Sequence, residues 1–372
     1  MSRLFVDEVL LISGFPGFRA KNLVAHLVSH APGARLDLLV HPRRRDEAAS
    51  IVSELAGEAP IHLLEGDPSA IDFGLSRAEY RELASRVDRV FSVHQVTDVA
   101  LDRETARDAN VKATRELIEF GRVGKRLRRL VHFSSAFVSG NRSGLVLEEE
   151  LDAGQAFRNP IEETLALSEL MLRRAMNELP ITVLRPSQVV GNSRTGEVER
   201  LDGPYPLIVL LVSAPAEAQL PLPPRAEAAL HIVPIDFVVR AACALAACDE
   251  GAGRTFHLTD PNPPSARRFF ELLAAQCGKR LASGFHPGAL SKALVNNPGV
   301  RLVTKNPRAL LDLLSMQVSY DTRQAEAVLQ REGVACPSID TYIAALVAHV
   351  EERIASGNLA RKKDGGAYEL IA

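Results

Sequence analysis

The sequence is poor in the features that would assign it to a specialised class. Its four cysteines, Cys243, Cys248, Cys277 and Cys336, are too few for a disulfide framework in 372 residues and lack metal-ligand spacing. They read as reduced thiols, and no metal site is expected. Neither sign of charge dominates: 44 Lys and Arg against 46 Asp and Glu leave a formal net charge of -2, with no electrostatic footprint for nucleic acid or an anionic membrane surface. No apolar run is long enough to span a bilayer. The opening stretch "MSRLFVDEVLLISGFPG" has an apolar run broken by Asp7 and Glu8 and no small-residue cleavage site, so it reads as a first strand rather than a signal peptide. Internal repeats and long low-complexity segments are absent. What remains is a globular protein expected in the cytoplasm, with no integral membrane segment and no nucleic-acid partner, and with a homodimer left open.

Its composition, 46% apolar and 24% charged, suffices for a sizeable core in one large or two interlocked domains. Short apolar bursts ("EVLLIS", "RLDLLV", "IHLLEG", "RVFSV", "RLVHFSS", "ITVLRP") alternate with helical patterns near 20–30, 46–56, 76–86, 103–121 and 161–177. Strand and helix repeated in this way predict an α/β fold, a Rossmann-type doubly wound parallel sheet whose strands are covered on both faces. Residues 1–190 would form a dinucleotide-binding domain, to which the chain returns at about 230–260 through "HIVPIDFVVRAACALAAC" and "RTFHLTD". Residues 191–229 and 261–372, opening with the turn-rich "DGPYPL" and "APAEAQLPLPPRAEAAL", would form a smaller substrate-binding lobe.

After the first strand comes Gly14-Phe15-Pro16-Gly17-Phe18-Arg19-Ala20, a turn of small residues opening a helix. Such a turn lets the backbone approach a pyrophosphate, whose charge the free N–H groups and positive dipole end of the helix stabilise. The second strand ends in "HPRRRDE". An acid there would meet a ribose 2'-OH, whereas His41, Arg43, Arg44 and Arg45 favour a 2'-phosphate. The same residues also read as a solvated basic turn. Asp37 falls inside the strand and is not counted as the ribose acid.

These stretches, with "EGD" (65–67), "VTD" (96–98), "ARDANVKATRELIEF" (106–120), "HFSSAFVSG" (132–140), "LRPSQVVG" (184–191), "DGPY" (202–205) and "VPIDFV" (233–238), make the chain similar to the extended short-chain dehydrogenase/reductases, in particular their epimerase/dehydratase and fatty-acyl-reductase-like branch. The resemblance implies NADPH or NADH as cofactor. It implies that Asp67 contacts the adenine, that Asn110 holds a kinked helix and a water near the site, that Ser134 lies along the cofactor, that Ser135 hydrogen-bonds the substrate oxygen, and that Arg185-Pro186-Ser187 passes the nicotinamide. The family also carries a Tyr-x-x-x-Lys pair about 25 residues after that serine, on one helix face, where the ammonium lowers the phenol pKa and the phenol protonates a carbonyl oxygen. Aligned on "NPIEETLALSE", the pair falls on Ile161 and Leu165. The five tyrosines, Tyr80, Tyr205, Tyr320, Tyr342 and Tyr368, are followed four residues on by Ala84, Val209, Gln324, Leu346 and Ala372, so no such pair exists anywhere.

Candidate substitutes are Ser135, His94 beside Gln95 after the fourth strand, and Tyr205 as a wall residue in the loop beyond the nicotinamide-side strand; His132 reads as a core or interstrand residue. The expected function is an NAD(P)H-dependent reductase of a small hydrophobic substrate of aromatic or acyl type, already activated, in lipid or secondary metabolism. A catalytically silent dinucleotide-binding sensor or scaffold is the alternative from another class. A lyase or isomerase on the same fold is a third.

Overall fold

The computed structural model describes residues 4–55, 59–93, 102–215, 217–223, 225–282, 288–304 and 308–359. Short runs of branched and apolar residues bounded by turn residues give strands β1 (Val9–Ser13), β2 (Arg35–Val40), β3 (Ile61–Glu65), β4 (Arg89–Ser92) and β5 (Arg129–Phe133). Next come β6 (Gly144–Val146), β7 (Ile181–Pro186), β8 (Gln188–Val190), β9 (Gln219–Leu220), β10 (Ile232–Pro234), β11 (Arg254–Leu258), β12 (Arg280–Leu281) and β13 (Val318–Tyr320). Seven of them form one sheet in the order β3-β2-β1-β4-β5-β7-β11, with every neighbouring pair parallel. The order reverses between β1 and β4, the switch point outside whose carboxyl ends ligands bind in open α/β sheets. The remaining strands pair two by two: β10 with β8, β12 with β9, and β13 with β6.

The helices are α1 (Phe18–His30), α2 (Arg45–Glu54), α3 (Arg77–Arg86), α4 (Arg103–Arg107), α5 (Ala113–Val123), α6 (Pro160–Ala175), α7 (Tyr205–Val212), α8 (Ile235–Ala247), α9 (Ala266–Gln276), α10 (Ala289–Asn296), α11 (Pro298–Val303), α12 (Arg308–Leu313), α13 (Arg323–Arg331) and α14 (Ile343–Ala355). Successive strand residues face opposite layers. Leu10 and Ile12 of β1 pack with α1, α8 and α13, while Leu11 between them packs with α3, α5 and α6. A separate core gathers Tyr205, Ile208, Phe269, Phe270, Leu294 and Leu346 of the lobe helices.

One segment departs from the sequence expectation. Helix α13 lies within the stretch 261–372 assigned to the lobe, yet Ala325, Val328 and Leu329 join the core of the sheet layer. Its start is fixed there by Glu148, a wholly buried carboxylate that accepts the N–H groups of Gln324 (2.8 Å), Ala325 (3.2 Å) and, on β11, His257 (3.0 Å).

Candidate active site

Strand β1 ends at Ser13 and is followed by Gly14, whose φ of 90° is open to glycine at no steric cost. The turn closes through the Gly17 N–H to the Gly14 carbonyl (2.8 Å), Phe15, Pro16 and Gly17 are buried, the Phe15–Pro16 bond is cis, and α1 begins at Phe18. The first turn of α1 carries no acid of its own. Its leading amide, the Phe18 N–H, donates to a carboxylate oxygen of Glu199 at 3.0 Å. Burial raises the Glu199 pKa, an effect that the Phe18 N–H and the nearby Arg44 and Arg200 reduce without cancelling. The helix start therefore already receives an anion, which is the chemistry a pyrophosphate needs.

At the end of β2 the His41 ring accepts the Arg43 N–H at 3.2 Å. Arg44 forks onto Glu47 (2.9 and 3.0 Å), and Arg45 pairs with Glu65 at 2.6 Å. Asp37 lies inside β2, wholly buried, and is bound by Arg35 and Arg86. Half-buried Asp67, past β3, accepts the Ser69 N–H (2.8 Å) and hydroxyl (2.7 Å) on one oxygen. His94 and Gln95 lie outside the described residues. His132 sits within β5 and meets Ser92 of β4 at 3.1 Å.

The reaction end is built on α6. Asn159 caps it by accepting the Glu162 N–H (3.0 Å), and Pro160, at the first helical position, needs no amide partner. Ile161 and Leu165, one turn apart, share a face with Glu169 a further turn on. Ile161 (4% exposed) and Leu165 (3%) pack with Ala106, Ala109, Val138 and Leu151. Beside them the Thr164 hydroxyl accepts from the Asn110 amide at 3.1 Å. Asn110 belongs to a π-helical turn (Asp108–Lys112) between α4 and α5, the extra residue that re-aims a side chain inside an otherwise continuous helix. Ser135 is half-buried just after β5 and caps the 3-10 turn Ala136–Ser139, accepting the Phe137 N–H at 3.2 Å; Val138 of that turn belongs to the Ile161 and Leu165 cluster.

Arg185 and Ser134 are both engaged with Glu169 of α6. Arg185 is 1% exposed and grips Glu169 of α6 at 2.9 and 2.6 Å, with further bonds to the Glu150 carbonyl (2.8 Å) and the His257 ring (3.2 Å). The Ser134 hydroxyl donates to the same Glu169 at 2.9 Å. Burial alone would push Glu169 up, but Arg185, Arg173 and Ser134 outweigh it and hold the carboxyl below its usual range. His257 donates from Nδ1 to the Asp321 carbonyl (2.7 Å), and burial, with Arg185 facing it, lowers its pKa to about 3, so the ring is neutral. Tyr205, expected on the pocket wall as a candidate catalytic group, is instead 1% exposed in the lobe core, and its hydroxyl accepts the Gly191 N–H at 2.8 Å. The reason is local: "YPLIVLLV" is apolar all round, and such a helix is buried whole.

Sequence reasoning missed Glu169, Thr164 and Glu199. Only Glu169 had a readable signal, an acid on the same stripe as two alkyl side chains. Also missed were His231 and Thr259, which flank Pro186-Ser187. The Ser187 amide bonds the carbonyl of Leu258, and the next amide, of Gln188, bonds that of His231. The Ser187 and Thr259 hydroxyls and His231 Nδ1 are buried and have no hydrogen-bond partner among the described residues. His231 Nε2 is 2.9 Å from the Val318 carbonyl and so carries the proton, leaving Nδ1 an acceptor. Among the described residues, no group of three or more His, Cys, Asp and Glu could hold a metal ion, and no helix is long and apolar enough to cross a membrane.

The parallel sheet, the glycine turn at its switch point and the serine after β5 define an extended short-chain dehydrogenase/reductase of the fatty-acyl-reductase-like branch. More narrowly, residues 12–242 match the family described as male sterility protein, and the chain belongs to that family. It is 24% identical over 290 residues to fatty acyl-CoA reductase wat of Drosophila melanogaster, covering 66% of this chain and 55% of the fly protein. It is 24% identical over 258 residues to L-2-aminoadipate reductase of Saccharomyces cerevisiae, 62% of this chain and 18% of the yeast protein. The chain thus spans about half the length of the first of these relatives and under a fifth of the second. Among solved structures, the terminal R domain of the myxalamid PKS-NRPS biosynthetic pathway superposes with a TM-score of 0.78 at 24% identity, covering 95% of this chain and 92% of that one. The UDP-glucuronic acid 4-epimerase from Bacillus cereus in complex with NAD superposes at 0.66 and 16% identity, covering 93% and 98%. The cofactor this family implies is a nicotinamide dinucleotide, and the glycine turn leading into α1, with the Phe18 amide at its start donating to a carboxylate, has the donor chemistry its pyrophosphate needs.

Proposed function

We propose that the chain is an NAD(P)H-dependent reductase of a hydrophobic acyl-type substrate, with an activated thioester as the form that suits the site. The observation that carries this reading is the apolar packing of Ile161 and Leu165, which leaves no titratable group at either position, with half-buried Ser135 capping the turn whose Val138 joins that cluster. A bound nicotinamide would supply the hydride. Ser135 would donate to the acyl oxygen as charge develops there, and Ile161, Leu165, Ala109 and Val138 would keep water from the reacting carbon. When a thioester is reduced to an aldehyde the carbon–sulfur bond breaks, the thiolate leaves and takes its proton from solvent, and the carbonyl oxygen ends without one. No acid at position 161 is then required. The names of relatives, fatty acyl-CoA reductase, aldehyde reductase lnbA of Aspergillus flavus and L-2-aminoadipate reductase, support the acyl and aldehyde class. We take NADPH to bind at least as well as NADH. The basic turn of His41, Arg43 and Arg44 supports this, with Arg44 exchanging Glu47 for a 2'-phosphate.

The second reading, a dinucleotide-binding protein without turnover, draws on the same burial, because a packed apolar face is also what a retired catalytic helix presents. Steady-state oxidation of NADPH with acyl-CoA thioesters of increasing chain length, and with the matching aldehydes, separates the two. Turnover that falls about a hundredfold in Ser135→Ala supports the reductase. Calorimetric binding of NADPH with no turnover of any thioester or aldehyde supports the silent reading.

A further inference from the structure

The loop from β8 to α7 is anchored at both ends and crosses the start of α1 in between. Its base is a tight turn in which the Gly196 N–H bonds the Asn192 carbonyl (2.8 Å) and the Asn192 N–H the Glu197 carbonyl (3.0 Å). Ser193 is tied to Asp236 of α8 by two bonds of 2.8 Å. Gly196, at φ +70°, lies so close to α14 that a Cβ would stand 2.0 Å from the Ala345 carbonyl oxygen, so no other residue fits there. Arg353 of α14 then donates to the carbonyls of Val198 and Glu199, both at 3.3 Å. At the far end the Tyr205 N–H bonds the Asp202 carbonyl at 3.2 Å. Between these anchors, Glu197 approaches Lys21 of α1 (3.9 Å), and Glu199 accepts the Phe18 N–H at 3.0 Å. Phe18 is the first residue of α1, so its amide has no acceptor within the helix.

We propose that Glu199 is a built-in anion that holds the place of the dinucleotide pyrophosphate at the start of α1, so that cofactor entry requires the 196–203 strap to surrender this contact. The inference rests on the cofactor reading above. Two negative groups cannot share one helix-start amide, so the free protein is divided between a strap-closed form that excludes the cofactor and an open form that binds it. Apparent affinity is the intrinsic affinity reduced by the open fraction. Glu199 thereby sets cofactor affinity without belonging to the reacting centre, and the strap couples that affinity to α14 of the lobe through Arg353.

The test is titration calorimetry of the full chain with NADPH and with NADH, for the natural protein, Glu199→Gln and Arg353→Ala, with amide hydrogen exchange at Phe18 read in parallel. Glu199→Gln keeps an acceptor but removes the charge, and Arg353→Ala frees the strap backbone at Val198 and Glu199 while leaving the Glu199 carboxylate in place. Each should bind about 5- to 30-fold more tightly than the natural protein. The Phe18 amide should exchange faster in both variants when free and be protected again by cofactor. Equal or weaker binding in a folded Glu199→Gln, with measurable binding by the natural protein, overturns the strap and leaves the cofactor reading standing. Failure of every form to bind either dinucleotide overturns the cofactor reading and this inference with it.

Discussion

The two halves of helix α6 lie on one stripe and have opposite chemistry. Toward its C-terminal half, Glu169 is wholly buried, yet it is held by Arg185, Arg173 and Ser134. Toward its N-terminal half, Ile161 and Leu165 close an apolar cluster. The contrast separates what the fold requires from what a particular chemistry requires. Glu169 ties α6 to β7 and, through Arg185, to His257 of β11, so removing it would leave a buried cation under the sheet. The residues at 161 and 165 make no such polar tie and join α6 to its neighbours by apolar packing alone, and the two alkyl groups suit each other: a lone ammonium beside isoleucine would be a buried, unpaired charge.

The largest effect should come from breaking the polar half. Arg185→Ala leaves Glu169 with only half-buried Arg173 and the Ser134 hydroxyl and removes the link to His257, and should destabilise the protein by about 3 to 5 kcal/mol at pH 7.5, measured by urea unfolding. The dependence on pH has a definite sign. The folded-state pKa of Glu169 lies below its ordinary value of 4.5, so its contribution is present above that value and lost as pH falls through the folded pKa. The gap between natural protein and variant should therefore narrow only in that acid range. A variant within about 0.5 kcal/mol of the natural protein would show the pair to be dispensable and the contrast between the halves to be only one of composition.

A smaller loss should follow from restoring polarity to the apolar half. Ile161→Tyr with Leu165→Lys puts a phenol and an ammonium against the apolar side chains of Ala106, Ala109, Val138 and Leu151. The cost should be roughly 2 to 4 kcal/mol. Turnover of the native acyl substrate should not rise, because thioester cleavage needs no acid there. If the chain is instead a retired enzyme, the double variant should acquire weak reduction of ordinary aldehydes that the natural protein lacks. Steady-state assays on both forms decide between these outcomes.

The fold was legible in the sequence because its signals are local. Strand-length apolar runs, the glycines at 14 and 17 and the change to turn-rich composition beyond residue 190 each report on their own few residues, and the absence of Tyr-x-x-x-Lys can be counted. The contacts that define the site were not legible, because they join distant residues of types that are ordinarily exposed. Glu199 reaches Phe18 across 181 positions, and Glu148 reaches α13 across 176. Arg185 reads as a cofactor neighbour from its motif, and only the sheet brings Glu169 beneath it. Tyr205 was singled out because tyrosines are few, but seven apolar neighbours in α7 decide its place. The π turn at 108–112 is not marked by any local breaker, its residues being ordinary helix formers and its widening a matter of backbone hydrogen bonding.

The smallest expected effect concerns the buried polar link from Asn110 to Thr164 at the apolar end. Thr164 sits between Ile161 and Leu165, its hydroxyl turned back onto the Pro160 and Ile161 carbonyls (2.9 and 3.1 Å) while accepting from Asn110. Thr164→Val keeps the shape of the side chain and removes that acceptor, so the Asn110 amide loses one buried partner, at a cost of about 1 kcal/mol. Stability alone would not distinguish a positioning role from simple packing. The distinction lies in kinetics. If Asn110 is aimed by Thr164 at the space beside Ser135, the variant should lower kcat for the acyl substrate while leaving the Kd for NADPH unchanged, and Thr164→Ser, which keeps the acceptor, should recover the loss. If Thr164 only fills space, valine should be the milder replacement and serine, which deletes a buried methyl group, the worse one. The order of the two variants, rather than the size of either effect, reports whether the apolar half of α6 still orients a polar group toward the reaction.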